Sequence, residues 1–297
     1  MAPSLDEDRK LLRVGLPKGS LQESTVDLFR RAGFYVDIPP RSYFPRIDDP
    51  DIECVMFRAQ EMSRYVADGV VDLGITGHDW IVENESDVHE VAELCYSKAT
   101  GRPARWVLAV PAESSVQRAE DLAGGLISTE LVNTTRAYFE KRGIDVRVEF
   151  SWGATEVKAR LVSGIVDVTE TGSSIRANNL RVIDEIMSST TRLIANHDAW
   201  KDPARKDKIE SMVLLLRGAL EARRQVGLKM NVPRAQLDEI LAMLPSEKSP
   251  TVSPLADPQW TAVEIVVEHQ VERDLVPRLH QAGATGILSY PLNKVIH

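Results

Sequence analysis

Along this chain, amphipathic stretches of helical period repeatedly stop at a glycine, and a β-branched apolar run follows within a few residues. Five such junctions stand out: Gly33 before residues 34–38, Gly69 before 70–75, Gly143 before 144–150, Gly164 before 165–168 and Gly283 before 285–290. Helix alternating with strand predicts an α/β fold in which much of the sheet is parallel. The first unit shows the pattern in detail. Residues 11–16 read as a strand and Pro17-Lys18-Gly19 as a turn at its C-terminal edge. Ser20 and Glu23 then form an S-x-x-E capping box for a helix that puts Leu21, Thr25, Leu28, Phe29 and Ala32 on one face and ends at Gly33.

The chain also matches itself. Gly69-Val70-Val71-Asp72 with Thr76-Gly77 repeats as Gly164-Ile165-Val166-Asp167 with Thr171-Gly172, every identity at an offset of 95 residues. In both copies a helix ends, a short strand carries an aspartate and a threonine-glycine pair follows. Helix-glycine-strand units are common enough to look alike by chance; the sharper reading is two related lobes facing each other across a cleft. After Gly218 the pattern changes. Strands at 226–231, 251–255, 261–268 and 286–290 and helices at 233–244 and 273–282, the first with Pro233 in its opening turn, give the order β-α-β-β-α-β. That is the signature of a ferredoxin-like domain of about 75 residues.

Chemistry concentrates at Asp167-Val168-Thr169-Glu170-Thr171-Gly172-Ser173-Ser174-Ile175-Arg176. A strand delivers the chain to a loop with hydroxyls and a glycine, where a helix begins. Backbone N–H groups at such a start, with hydroxyl donors beside them, suit a phosphate monoester. Asp167 and Glu170 accept hydrogen bonds when ionised, which suits the ribose hydroxyls next to that phosphate. A loop of this composition also caps helices with no ligand at all. Neither G-x-x-x-x-G-K-[ST] nor a strand-following G-x-G-x-x-G is present. Further polar groups fall at predicted strand ends, where open α/β sheets place ligands: Lys18, Arg58, Thr76-Gly77, Glu130 with Asn133 and Thr134, and Glu156 after Gly153-Ala154.

Composition narrows the classes. At 297 residues there is chain for two or three domains. A formal charge of −8 argues against an extended nucleic-acid surface, so an anionic substrate must be held by local donors. The longest notable apolar run, residues 212–216, is far too short to span a bilayer. The charged residues 1–10 lack the apolar stretch of a secretory signal and read as a leader, which makes the cytoplasm the expected compartment. Cys54 and Cys95 sit in apolar surroundings without CxxC spacing and read as buried structural thiols.

With Leu16-Pro17-Lys18-Gly19-Ser20-Leu21, Asp72-Leu73-Gly74-Ile75-Thr76-Gly77, the segment 167–180, and Ser249-Pro250-Thr251 with Gly283-Ala284 in view, the chain resembles the long-form ATP phosphoribosyltransferases, which open histidine biosynthesis, over about residues 12–296. The resemblance implies a two-lobed, periplasmic-binding-protein-like catalytic part plus a C-terminal ferredoxin-like (ACT-like) α+β domain. It divides the chain into lobe I at 10–104 with 188–218, lobe II at 105–187 and a regulatory domain at 224–297. The implied reaction moves phosphoribose from phosphoribosyl pyrophosphate to N1 of the ATP adenine and requires Mg²⁺. No protein metal site is expected, the metal being carried largely by pyrophosphate. Lys18 and Arg58 become the catalytic candidates; Gly19, Thr76, Gly77, Glu130, Glu156, Asp167, Glu170, Thr171, Gly172, Ser173 and Ser174 become substrate contacts. Asn231, Thr251 and Ala284 become contacts for inhibitory L-histidine, within a homohexamer for which dimers are possible.

Two departures from the family pattern are Ser174-Ile175, where Thr-Leu is common, and Thr100-Gly101-Arg102-Pro103-Ala104-Arg105 in place of Gly-x-Cys, which leaves open whether Arg102 and Arg105 face substrate or solvent. Competing readings are a phosphoribosyltransferase for another base and a non-catalytic two-lobed binding protein. Neither nucleic acid nor membrane is an expected partner.

Overall fold

A computed structural model describes residues 11–96, 103–245 and 250–297. Two compact units emerge, residues 1–30 with 34–213 and residues 31–33 with 214–297.

The larger unit holds two five-stranded sheets. In chain order it contains β1 (Leu12–Lys18), α1 (Gln22–Ala32), the two-residue strands β2 (Val36–Asp37) and β3 (Arg46–Ile47), β4 (Ile52–Arg58), α2 (Ala59–Ala67), β5 (Leu73–Gly77), α3 (His78–Glu83) and β6 (His89–Glu93). Then come β7 (Ala104–Pro111), β8 (Leu126–Thr129), α4 (Val132–Glu140), β9 (Arg147–Phe150), α5 (Thr155–Lys158), β10 (Gly164–Thr169), α6 (Ser173–Ala177), β11 (Leu180–Ser189), β12 (Thr191–Ala195) and α7 (His197–Lys201). Helix α8 (Pro203–Ala222) runs through the boundary into the second unit.

The first sheet has the order β4-β1-β5-β12-β6 and the second β9-β8-β10-β7-β11. In each, three parallel strands joined by helices are arranged with the first in the middle, and two antiparallel strands complete the sheet. The two lobes therefore share one topology, in which β5 corresponds to β10. That is the pairing made by the 95-residue offset, so the internal match marks equivalent central strands. The chain passes between the lobes twice, β6 leading into β7 and β11 leading back into β12. The expectation that much of the sheet is parallel holds for three adjacent strands in each lobe; one strand in each, β12 and β7, runs antiparallel to both its neighbours and makes the sheets mixed.

Central strands buried on both faces read as unbroken apolar runs, and the cores follow: Leu12, Val14 and Leu16 with Leu73 and Ile75 in the first sheet, Val107 to Val110 with Ile127, Ile165 and Val166 in the second. Two strand boundaries move. Asp72 precedes β5 rather than riding in it, and residues 34–38 give only the short β2.

The second unit follows the predicted order, with β13 (Gln225–Pro233), α9 (Leu237–Met243), β14 (Thr251–Pro254), β15 (Trp260–Glu268), α10 (His269–Gln281) and β16 (Thr285–Pro291). Its antiparallel sheet, β14-β15-β13-β16, is the ferredoxin-like arrangement. One face, with Leu228, Met230, Val263 and Ile265, packs with Leu275 and Leu279 of α10 and Ile240 of α9. Pro233 closes β13 instead of opening a helix, a 3₁₀ turn intervening at Arg234–Gln236. Helix α10 begins a turn earlier than expected, with Pro277 inside it. No helix among the described residues is long and apolar enough to cross a membrane.

Candidate active site

A cavity of about 1270 Å³ lies between the two lobes of the larger unit. Lobe I contributes Lys18 and Gly19 from the end of β1, Arg58 from the end of β4, and Gly77 from the end of β5. Lobe II contributes Glu130 from the end of β8 and Glu170, Thr171, Ser173 and Ser174 after β10. Every one of these lies at or just beyond a strand's C-terminal end, where open α/β sheets expose backbone donors and leave room for ligands.

The loop after β10 is shaped from within. Gly172 adopts φ 74°, in the left-handed region that side chains avoid, and its N–H donates to Thr169 Oγ1 at 2.8 Å. The Thr171 and Ser173 hydroxyls bond each other at 3.0 Å on the exposed side. A Cβ on Gly172 would come within 2.9 Å of the Arg176 guanidinium, so this cation folds back over the loop. Arg176 was not singled out from the sequence; its position one turn into α6 was the signal available.

Asp167 is electrostatically perturbed. Burial, then repulsion from Glu156 and Glu130, pushes its carboxyl up to about 7, against a bond accepted from the Val168 N–H. Asp167, Glu156 and Gly172 are not among the residues lining the main cavity, although Glu130, which does line it, is near enough to act on Asp167. Among the described residues no three His, Cys, Asp or Glu side chains are arranged to hold a metal ion. Magnesium keeps waters and substrate phosphates and takes only one or two protein carboxylates. Glu130 and Glu170 on the cavity wall fit that limited role.

Thr76 is not a cleft residue. Fully buried, it donates to the Ala59 carbonyl at 2.7 Å and ties the end of β5 to the start of α2. Asn133 and Thr134 are also taken. Their backbone N–H groups and the Thr134 hydroxyl all donate to the Glu83 carboxylate at 2.8–2.9 Å, so an acid at the end of α3 in lobe I caps α4 in lobe II. A second interlobe bond was equally unforeseen. Asp79, buried in α3 and lining the cavity, accepts from the Trp106 indole N–H at 2.6 Å, while its own N–H donates to Ser189 Oγ at 3.1 Å. Burial raises its carboxyl pKa, opposed by the Trp106 and Ser189 bonds. A Cβ on Gly77 would lie 2.0 Å from Asp79 Oδ1, so any larger residue there must displace this carboxylate.

Cys54 is buried as expected, but Cys95 is exposed and lines the cavity. Arg105 pairs with Glu185 on the neighbouring strand at 3.4 Å; Arg102 lies outside the described residues. In the second unit, Asn231 and Thr251 are exposed, whereas Ala284 is fully buried in the core, so its methyl group does not join them.

A family profile described as ATP phosphoribosyltransferase matches residues 58–218, and a second, described as the HisG C-terminal domain, matches residues 222–294. The chain belongs to the HisG family of ATP phosphoribosyltransferases. An ATP phosphoribosyltransferase of Desulfosudis oleivorans is 57% identical over 289 residues, covering 97% of this chain and 99% of that one. One from Pelodictyon phaeoclathratiforme is 54% identical, covering 98% of this chain and all of the relative. Among solved structures, the ATP phosphoribosyl transferase (HisG:HisZ) complex from Thermotoga maritima aligns with a TM-score of 0.61 at 27% identity, over 72% of this chain and 99% of that one. The HisG fold of the larger unit and the additional C-terminal domain of the long form are thus both present.

Proposed function

We propose that this cleft transfers the phosphoribosyl group of phosphoribosyl pyrophosphate to N1 of the ATP adenine, releasing pyrophosphate and giving phosphoribosyl-ATP, the first step of L-histidine biosynthesis. The observation that carries the reading is the opposition across one cavity of a hydroxyl-rich loop in lobe II and the cationic wall of Lys18 and Arg58 in lobe I. Thr171, Gly172, Ser173 and Ser174 hold the 5-phosphate through hydroxyls and backbone N–H groups, with the Arg176 cation above them. Asp167 and Glu170 accept from the ribose hydroxyls, fixing the ring.

Displacement at the anomeric carbon puts oxocarbenium character on the ribose and negative charge on the departing pyrophosphate. Lys18 and Arg58 meet that charge where it develops, and closure of the cleft over both substrates supplies the alignment. Magnesium, when bound, would be carried largely by pyrophosphate and would neutralise its charge.

Residues 10–104 with 188–218 serve as one catalytic lobe, 105–187 as the other, and 224–297 as a regulatory domain in which Asn231, Thr251 and the Ala284 backbone contact inhibitory histidine within a cytoplasmic homohexamer. The test follows product absorbance with ATP, phosphoribosyl pyrophosphate and Mg²⁺, with and without L-histidine. Product suppressed by histidine supports both assignments. Product without suppression removes the histidine site, and no product from folded protein removes the catalytic assignment.

A further inference from the structure

The cavity has an aromatic feature that neither the phosphate loop nor the cationic wall explains. Tyr43 and Phe44, in the connection between β2 and β3, both line it, yet they remain 52% and 67% exposed. Exposed aromatic pairs on a concave wall leave apolar surface in water unless something covers it.

The turn that carries them is fastened. The Tyr43 carbonyl accepts from the Met56 N–H of β4 at 2.8 Å, the Phe44 N–H donates to Ser42 Oγ at 3.0 Å, and the next residue, Pro45, is buried. The rings are therefore presented by an anchored backbone. On one of them the Lys18 ammonium sits 3.6 Å from the ring centroid of Tyr43, a cation–π contact that places a positive charge beside the aromatic surface.

We propose that the Tyr43–Phe44 turn is the stacking platform for the purine ring of the nucleotide co-substrate, with Lys18 beside it to meet the nucleotide's phosphates. The proposal rests on the catalytic reading above and assigns its base-recognition surface. A ribose phosphate offers hydroxyls and anionic oxygens but no π face, so the loop of lobe II and the aromatic turn of lobe I divide the two substrates by chemistry. Base–aromatic stacking is sequence-tolerant in itself, so the platform supplies affinity for a purine and leaves discrimination among purines to polar contacts.

The experiment measures KM for ATP and for phosphoribosyl pyrophosphate, and ATP binding by calorimetry, on the full chain and on Phe44→Ala, Tyr43→Ala and Tyr43→Phe, with melting curves as a check on folding. Phe44→Ala should raise KM and Kd for ATP about tenfold to a hundredfold, from the usual worth of one stacked base, with KM for phosphoribosyl pyrophosphate within about twofold. Tyr43→Ala should do the same and also lower kcat by releasing Lys18, and Tyr43→Phe should restore both. Inorganic tripolyphosphate, which has no base, should inhibit wild type and Phe44→Ala equally. If the wild type turns over and Phe44→Ala leaves the ATP constants unchanged, or weakens both substrates alike, the platform is wrong while the catalytic reading stands. If the folded wild type binds no ATP, the catalytic reading falls and the platform with it.

Discussion

Two aspartates 95 residues apart occupy equivalent places in the two lobes and have opposite lives. Asp72, at the entry to β5, is 1% exposed; it accepts from the Arg13 N–H at 2.8 Å and from the Arg205 guanidinium at 2.9 Å. Its charge is fully used in joining β1, β5 and α8. Asp167, inside β10, has acids for neighbours, and burial together with Glu156 and Glu130 pushes its carboxyl up to about 7. The same Gly-x-Val-Asp sequence in the same topological slot has thus become a structural ion pair in one lobe and a strained acceptor in the other. What differs is the company each carboxylate keeps, and a carboxylate left without a cation is the one poised to gain a partner from a substrate.

Exchanging the roles by mutation gives the largest contrast. Asp72→Ala should lower the unfolding free energy by about 2–3 kcal/mol in a denaturant titration, since it leaves the Arg13 N–H and the part-buried Arg205 guanidinium without their acceptor. Asp167→Asn should not lower the denaturation midpoint, and at neutral pH should raise it because no buried carboxylate is left to ionise, while cutting kcat/KM for phosphoribosyl pyrophosphate by about 10² or more, the scale of losing a positioned charged contact.

The pH dependence sharpens the same comparison. Folded chain keeps a proton on Asp167 up to about pH 7, whereas the unfolded chain releases it near the ordinary value of 3.8. Folded protein binds more protons across that window, so this group's contribution to stability is present at its acid end and lost as pH rises through 7. Ribose binding needs the ionised acceptor and runs the other way. A pH series should show kcat/KM for phosphoribosyl pyrophosphate rising with a midpoint near 7, and Asp167→Asn should flatten both trends.

A smaller effect belongs to the interlobe cap. Glu83→Gln keeps the shape but removes the charge at the α4 N-terminus, for a cost of about 1–2 kcal/mol, and should raise both KM values together because it loosens the lobes rather than either subsite. The smallest concerns the threonine-glycine pairs. Thr76→Val should cost about 1 kcal/mol for one buried hydrogen bond with little change in rate, whereas Thr171→Val should slow turnover without altering the melting temperature. Equal effects at the two threonines would break the distinction between the lobes.

Much of this was written in local sequence. The glycine stops, the β-α-β-β-α-β order of the second unit and the hydroxyl loop after β10 are all short-range signals, and the structure places them within a few residues of where the pattern does. The loop's glycine needs its left-handed φ whatever surrounds it. Other features depend on contacts that sequence spacing does not encode. Thr76 looked like a cleft residue because its twin is Thr171, but the Ala59 carbonyl reaches it first. Asn133 and Thr134 looked like substrate donors until Glu83, 50 and 51 residues away, claimed them.

The sequence by itself therefore determined the elements, the doubling of the two-lobed unit and the hydroxyl loop after β10, because periodicity, turn chemistry and hydroxyl-glycine motifs act over a few residues. Tertiary structure alone decided which of two matching aspartates is neutralised, which acids of α3 clasp the opposite lobe, and that Tyr43 and Phe44 face the cavity. Those outcomes turn on distances between residues far apart in the chain, where a guanidinium 2.9 Å away or a second carboxylate nearby sets what an aspartate can do.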